Sequence, residues 1–327
     1  MCYGRKIYWG IAGFFFYNML SGVLRGLGDS LSALGFLLLA AALNVVLDIY
    51  FVGSLSMGVA GVSLATVISQ AISAVFCYIK LAKMSDSFDL SLKTMKVIPA
   101  VSGRILKIGI PSGITQAIMA TAGMVVLNLT NAMGEMVIAC NVIVMRVDGF
   151  AMMPNMTFGQ TMSVYTGQNF GAGKYERVGL GVRKGGSIAV WTSAAITVVL
   201  LFCSPVLFSF FTNTPELIDL ATKMIRIMAV GYICMSLTQV LGGVMRGCGE
   251  TVSPMWVSII QTLVLRVPVA YLIAYMTRSA EYPHGHPAAL FGSLLFSWTV
   301  GMIISITIFK KGKWRTRIPS ILADHIK

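Results

Sequence analysis

The chain has 327 residues, of which 56% are hydrophobic and only 11% are charged, and its net charge is +13. Soluble domains carry roughly a quarter charged residues, because a folded surface must be hydrated. A mean hydropathy of +0.80 therefore excludes both a water-soluble globule and a disordered chain. The positive charge is typical of the cytoplasmic loops of membrane proteins. No base-reading motif accompanies it, so no nucleic-acid partner is expected.

Nine apolar segments are long enough to cross a bilayer as helices, which requires about 20 residues each. In chain order they cover 8–24, 32–53, 57–79, 108–132, 136–157, 187–211, 220–243, 254–276 and 288–309. The runs are continuously apolar, whereas the strands of a membrane barrel alternate over about ten residues. We therefore predict an all-α polytopic membrane protein with nine transmembrane helices, embedded in the lipid bilayer.

The basic residues fall mostly in one alternate set of loops, which includes 80–107, 174–184 and the tail after residue 309. By the positive-inside rule this set is cytoplasmic. The expected location is the cell membrane, with the C-terminus inside. An odd number of spans then places residue 1 outside, where Arg5 and Lys6 lie on the wrong side of the membrane. We therefore expect the chain to be part of a longer protein.

An internal repeat connects the two halves of the chain. Residues 21–34 read SGVLRGLGDSLSAL and residues 242–255 read GGVMRGCGETVSPM. Both copies follow one span, precede another and lie on the cytoplasmic side, which predicts parallel repeats of about six spans each.

The repeat predicts the domain organisation. Residues 1–84 form the second half of one lobe, 85–107 a cytoplasmic linker, 108–310 a complete six-helix lobe and 311–327 a basic cytoplasmic tail. The intact protein is expected to have twelve spans, so that about three precede this chain.

The repeated loops carry two arginines and two acids, Arg25 with Asp29 and Arg246 with Glu250. We expect a structural role for all four. The arginines would cap the carbonyls at the ends of the preceding helices. The acids would lie at the N-termini of the next helices, where negative charge is favoured.

Ionisable residues inside spans are costly and usually functional. Asp48 follows Asn44 by one helical turn, so both side chains share a face. A carboxylate beside an amide oxygen is a hard-oxygen site for Na⁺, or a proton carrier, and the sequence leaves both open. A structural polar pair is the alternative.

The second half of the chain has its own span residues, Arg146, Asp148 and Arg266. Arg146 and Asp148 are two positions apart, so on a helix they point away from each other and each needs another partner. They are candidates to line a cavity and contact substrate, or alternatively to pair with neighbouring helices. Pro268 follows Arg266 by two residues and predicts a kink there.

Longer motifs resemble a known family. The runs LNVVLDIYFVG, IGIPSGITQA and, above all, MRVDGFAMMPNMTFGQTMSVYTGQNFGAGKYERV are similar to bacterial members of the multidrug and toxic compound extrusion (MATE) family. The resemblance implies a monomeric antiporter with two six-helix lobes around a cleft, which exports small organic, often cationic, compounds in exchange for Na⁺ or H⁺. It also implies that Thr66 joins Asn44 and Asp48 in a cation site of the first lobe.

The motifs of other functional classes are absent from the sequence. The sequence has no GxxxxGK[ST] loop, HExxH motif or Ser/His/Asp set, so we expect no enzyme, no cofactor beyond the coupling ion and no metal other than Na⁺. A lipid-linked saccharide flippase of the same superfamily is one alternative, although only Arg146 and Arg266 are candidates for its basic cavity. A non-functional truncated fragment is the other.

Overall fold

The computed structural model describes residues 2–84, 97–280 and 282–312, with side chains from residue 13 onward. Every regular element in these ranges is helical. The chain divides into two compact units, Met1–Ile98 and Pro99–Lys327, which we call unit one and unit two. The predicted linker 85–107 falls partly outside the described ranges, and its residues from Pro99 onward begin a helix of unit two. The tail after Gly312 lies outside them.

Unit one contains three helices. They are α1 (Cys2–Gly26), α2 (Ser30–Asp48), which continues as a π-helical segment (Ile49–Ser54), and α3 (Gly58–Ala82). Helix α3 packs against both α1 and α2. Their apolar residues meet in a small core formed by Tyr17, Leu24, Ala33, Ala74, Cys77 and Leu81. Many remaining apolar side chains are exposed, as expected for surfaces that face lipid.

Unit two contains the longer helices. In order they are α4 (Pro99–Ala132), α5 (Glu135–Gly171), α6 (Tyr175–Ser209), α7 (Pro215–Ala229), α8 (Gly231–Gly247), α9 (Val252–Ile259), a second π-helical segment (Ile260–Arg266), α10 (Val267–Met276) and α11 (Ala288–Lys311). Helix α8 is the centre of the unit, because it packs against α5, α6 and α11 and most of its residues are buried.

Small residues let α5 and α8 approach closely. A Cβ atom added to Gly243 would lie 2.2 Å from the carbonyl oxygen of Gly159, and one added to Gly247 would lie 2.5 Å from that of Ser163. Gly243 and Gly247 are four residues apart on α8, and Gly159 and Ser163 are four apart on α5. This is the small-residue packing by which membrane helices bring their backbones together.

One predicted span is broken. A continuous helix was expected over 220–243, but α7 and α8 meet at an angle of 45° around Val230. Within the described ranges seven segments are long and apolar enough to cross a membrane, and this bent pair makes an eighth. Helix α1 has the length of a further span, at 25 residues. The total of nine stays a prediction.

The two repeated loops have the same local structure. In unit one Gly28, with φ of 93°, donates to the carbonyl of Arg25 at 3.1 Å, and the Asp29 amide donates to that of Leu24 at 3.0 Å. In unit two Gly249 and Glu250 make the equivalent bonds, both at 2.9 Å. Each loop is a Schellman motif, which ends one helix in the left-handed conformation that glycine adopts without strain.

Candidate functional site

A polar cluster connects α2 and α3 in unit one. The amide nitrogen of Asn44 donates to the hydroxyl oxygen of Thr66 at 3.3 Å, and that hydroxyl donates to the carbonyl of Val62 at 2.9 Å. The turn between α2 and α3 thus brings together two residues that are 22 positions apart. The Asn44 amide oxygen and a lone pair on Thr66 remain available to a cation.

Asp48 lies one turn after Asn44, at the last residue of α2. Its Oδ1 atom is buried and has no hydrogen-bonding partner among the described residues. A buried carboxylate oxygen without a partner is costly, and it leaves Asp48 with a hard-oxygen ligand that no described residue occupies. The backbone changes from α to π geometry at the next residue, and such π segments are frequent at functional sites.

In unit two Asp148 is held by a tyrosine. The hydroxyl of Tyr232, on α8, donates to Oδ1 of Asp148, on α5, at 2.7 Å. Asp148 also interacts electrostatically with Arg266, which ends the second π-helical segment. The two are not in direct ion-pair contact in the described structure. Arg146 is exposed and makes no hydrogen bond or ion pair with this group among the described residues.

Hydrogen bonds from α5 and α6 stabilise the break that positions Tyr232. Asn155, which is fully buried, donates to the carbonyl of Tyr232 at 3.3 Å and accepts from the hydroxyl of Ser193 at 2.7 Å. Thr197 donates to the carbonyl of Ala229 at 2.9 Å. Backbone groups freed by the break in α7–α8 are thus satisfied by neighbouring side chains, as a membrane interior requires.

A cavity of about 300 Å³ lies inside unit two, between α4, α5, α11 and the second π-helical segment. Its walls are mainly apolar, and its polar side chains are Thr130, Asn141 and Arg266. Asp148 and Arg146 are not among the lining residues. Of the three residues predicted to line a cavity, the structure therefore places one there.

The acids of the repeated loops contact helix N-termini. The carboxylate of Asp29 accepts from the backbone amide of Ser32 at 3.0 Å, which, together with Lys80 at 3.5 Å, holds its pKa below the usual value. Glu250 accepts from the backbone amide of Ser253 at 3.1 Å. Both acids lie at the N-terminus of the helix that follows, where negative charge is favoured.

The arginines of these loops differ from the expectation. Neither Arg25 nor Arg246 donates a hydrogen bond to a helix carbonyl in the described structure. Arg25 is exposed, whereas the guanidinium of Arg246 lies over Gly159 and Gly242, whose missing side chains leave space for it between α5 and α8. Arg246 turns inward because the close helix packing of unit two offers that space.

The sequence comparisons agree with this architecture. The MatE family profile matches residues 111–272. The probable multidrug resistance protein YpnP of Bacillus subtilis (strain 168) is 30% identical over 268 residues, which are 81% of this chain and 59% of that protein. These matches support a MATE family transporter. Members of this family are transporters and not enzymes, as the sequence indicated.

Further MATE relatives match most of the chain. The probable multidrug resistance protein NorM of Thermotoga maritima is 24% identical over 321 residues, covering 96% of this chain and 67% of that protein. YoeA of Bacillus subtilis is 24% identical over 302 residues, covering 90% of this chain and 65% of that protein. The chain thus spans about three fifths to two thirds of the length of these MATE relatives.

Solved structures show the same fold. A MATE crystal structure in the bent conformation superposes with a TM-score of 0.84 at 22% identity, over 99% of this chain and 70% of that one. An outward-facing MATE family transporter superposes with a TM-score of 0.82 at 22% identity, over 94% of this chain and 66% of that one. The chain is an α-helical, multi-pass membrane protein.

Sequence reasoning missed the residues that organise unit two. Tyr232, Asn155 and Ser193 are uncharged, so the search for ionisable groups within spans passed over them. Gly231 was a weak signal only, because a glycine in a helical pattern costs about 1 kcal/mol relative to alanine and other spans contain glycines without a break. The partner of Asp148 had no signal in the sequence, since Tyr232 is 84 residues away from it.

Proposed function

We propose that this MATE chain belongs to a secondary active antiporter that exports small organic, often cationic, compounds in exchange for Na⁺ or H⁺. The two lobes would give alternating access to the substrate, and the protein would act as a monomer in the cell membrane with its C-terminus in the cytoplasm. Relatives named as probable multidrug resistance proteins support drug export. The coupling ion is the part of this proposal that rests on the residues of unit one.

The observation that carries the proposal is the unpartnered carboxylate oxygen of Asp48 beside the Asn44–Thr66 hydrogen bond. Three oxygen-bearing side chains from α2 and α3 form a set of hard ligands that suits Na⁺. The same carboxylate is also the candidate for proton coupling, because it can bind one proton in place of Na⁺. In either case the bound cation neutralises the carboxylate of Asp48, and this change biases the equilibrium between two conformations.

The test is drug efflux from vesicles that carry the intact protein, driven in turn by a Na⁺ gradient and by a pH gradient. Asp48→Asn keeps the shape of the side chain and removes its charge, so we expect loss of ion-driven efflux with normal membrane insertion. Thr66→Val removes one oxygen ligand and should weaken Na⁺-driven efflux more than pH-driven efflux. Asp29→Asn, at a loop, is the matched acid control and should retain efflux.

The results separate the two coupling ions. Efflux that Asp48→Asn abolishes under only one gradient assigns that ion to the site. Unchanged efflux under both gradients would remove Asp48 from the mechanism and leave Asp148 as the next candidate, because it is the other acid that lies within a predicted span.

A further inference from the structure

The cavity of unit two combines an apolar interior with a cationic wall. Leu290, Phe291 and Leu294 of α11 form one side, and α4 forms another. Arg266 and Asn141 supply the polar groups. A pocket of this composition, apolar with a few convergent polar groups, is typical of small-molecule sites. Its volume of about 300 Å³ suits a single-chain or bicyclic compound and is too small for a two-chain lipid.

The donors in this cavity have no partners of their own. The Nε atom of Arg266 is buried and makes no hydrogen bond. No other described residue accepts from the guanidinium, and the side chain of Asn141 is likewise without a hydrogen bond in the described ranges. Thr130 differs, because its hydroxyl donates to the carbonyl of Val126 at 3.0 Å. The terminal Nη groups of Arg266 also donate to no described residue, and unlike Nε they are not fully buried, so they and the Asn141 amide are the donors open to a ligand in the cavity.

The charge near Arg266 limits what such a ligand can be. Asp148 attracts the guanidinium from a distance, and its own Oδ1 atom is occupied by the Tyr232 hydroxyl. A ligand with a single negative charge can accept hydrogen bonds from the free N–H groups of Arg266. It then competes with the carboxylate of Asp148 for the electrostatic attraction of the guanidinium. A dianion would face stronger repulsion from Asp148 in this low-dielectric interior.

We propose that this cavity binds an amphiphilic organic acid, with its carboxylate on Arg266 and Asn141 and its apolar body against α11. A guanidinium pairs well with a carboxylate because its planar N–H groups match the two oxygens. The site shares no residue with the cation cluster of unit one, and its ligand has the opposite charge. Binding is measured without transport, so the result is independent of the proposed efflux function.

Photolabelling with a matched pair of probes tests the charge preference. One probe is decanoic acid with a diazirine on its chain, and the other has the same chain with a trimethylammonium head group. Both are irradiated with the intact protein in vesicles, and mass spectrometry locates the label. We expect the acid to label α4 and α11 at the cavity and the cation to leave these positions unlabelled. Equal labelling by both probes would overturn the proposal.

Two substitutions address the cavity itself. Arg266→Gln should lower cavity labelling by about tenfold to a hundredfold, the loss expected for a charge-assisted hydrogen bond. The exposed Arg226 provides the control, because Arg226→Gln lies outside the cavity and should label as the parent protein does. Gly123→Leu should block labelling by filling the cavity, and it should fold, because a Cβ atom at Gly123 meets nothing within 4 Å. Undiminished labelling in either cavity variant would refute the site.

Asp148→Asn tests the competition. The amide oxygen can still accept from Tyr232, but the negative charge that opposes the ligand is removed, so labelling by the acid should increase. A decrease would contradict the proposed competition between Asp148 and the ligand.

An excess of unlabelled decanoate or 2-naphthoate, added before irradiation, distinguishes a membrane-derived fatty acid from a water-soluble aromatic acid. Competition by either supports the site, and competition by neither would refute it.

Discussion

The repeated loops offer a matched pair of glycines in different environments. Gly22 and Gly243 occupy the same position of the repeat, three residues before Arg25 and Arg246. A Cβ atom at Gly243 would lie 2.2 Å from the carbonyl oxygen of Gly159, whereas one at Gly22 meets nothing within 4 Å. We predict that Gly243→Ala destabilises the protein and that Gly22→Ala does not.

The magnitude follows from the geometry. Nonbonded heavy atoms rest about 3.5 Å apart, so α5 and α8 must separate by about 1 Å to admit the methyl group at Gly243. Overpacking of this kind costs about 1–3 kcal/mol, and the upper end applies because the obstructing atom belongs to the backbone. At both positions the helix gains about 0.5–1 kcal/mol from replacing glycine. Gly22→Ala should therefore be neutral or slightly stabilising.

Thermal unfolding in detergent, followed with a thiol-reactive dye, can localise the effect. Cys140, Cys234 and Cys248 are buried in unit two, and Cys77 is buried in unit one. Cys203 is exposed and should be replaced by Ala to lower the background. For a unit of this size we expect Tm to fall by about 2–4 °C for each kcal/mol lost.

The difference in Tm between Gly243→Ala and Gly22→Ala tests whether the close approach of α5 and α8 is real. Gly243→Ala should expose the cysteines of unit two at a lower temperature than in the parent protein, and Gly22→Ala should leave the transition unchanged or raise it. Equal Tm values for both variants would show that the close approach of α5 and α8 is not maintained in the membrane protein. Retention of a single size-exclusion peak is the control for aggregation.

Three further predictions concern hydrogen bonds. Tyr232→Phe removes the donor to Asp148 and should cost about 1.5–3 kcal/mol in thermal unfolding, so an unchanged Tm would contradict this role. Asn155→Leu leaves buried polar groups at the helix break unpaired and should cost about 1–3 kcal/mol, which an unaltered midpoint in the dye assay would refute. Asp29→Ala removes an N-cap and should cost about 0.5–2 kcal/mol near neutral pH. Because the hydrogen bond from Ser32 lowers the pKa of Asp29 in the folded state, this contribution is full above about pH 5 and disappears as the pH falls below about 4. A Tm difference that does not change between pH 3 and 7 would exclude the charged form as the cap.

The sequence by itself determined the class of protein and most of its helices. Long, continuous apolar runs are stable only in a bilayer, where the backbone groups must form their hydrogen bonds within a helix. Composition and run length were therefore sufficient to predict an all-helical membrane protein. The repeated loops were also evident in the sequence, because the Schellman turn needs Gly28 and Gly249 and the acids after them suit a helix N-terminus. Asn44 and Asp48 were paired by helical spacing alone, which is a local property.

In unit two, only the tertiary structure decided which polar groups meet. Asp148 accepts its hydrogen bond from Tyr232, 84 residues away. Arg266 lines a cavity at the end of a π-helical segment, which the hydrophobic periodicity of the sequence does not reveal. The inward turn of Arg246 in unit two, against the exposed Arg25 of unit one, likewise depends on the space that Gly159 and Gly242 leave for its guanidinium. Local patterns fix helices and caps through short-range hydrogen bonds. The contacts within a site depend on packing between residues distant in sequence, and that information is absent from any single segment.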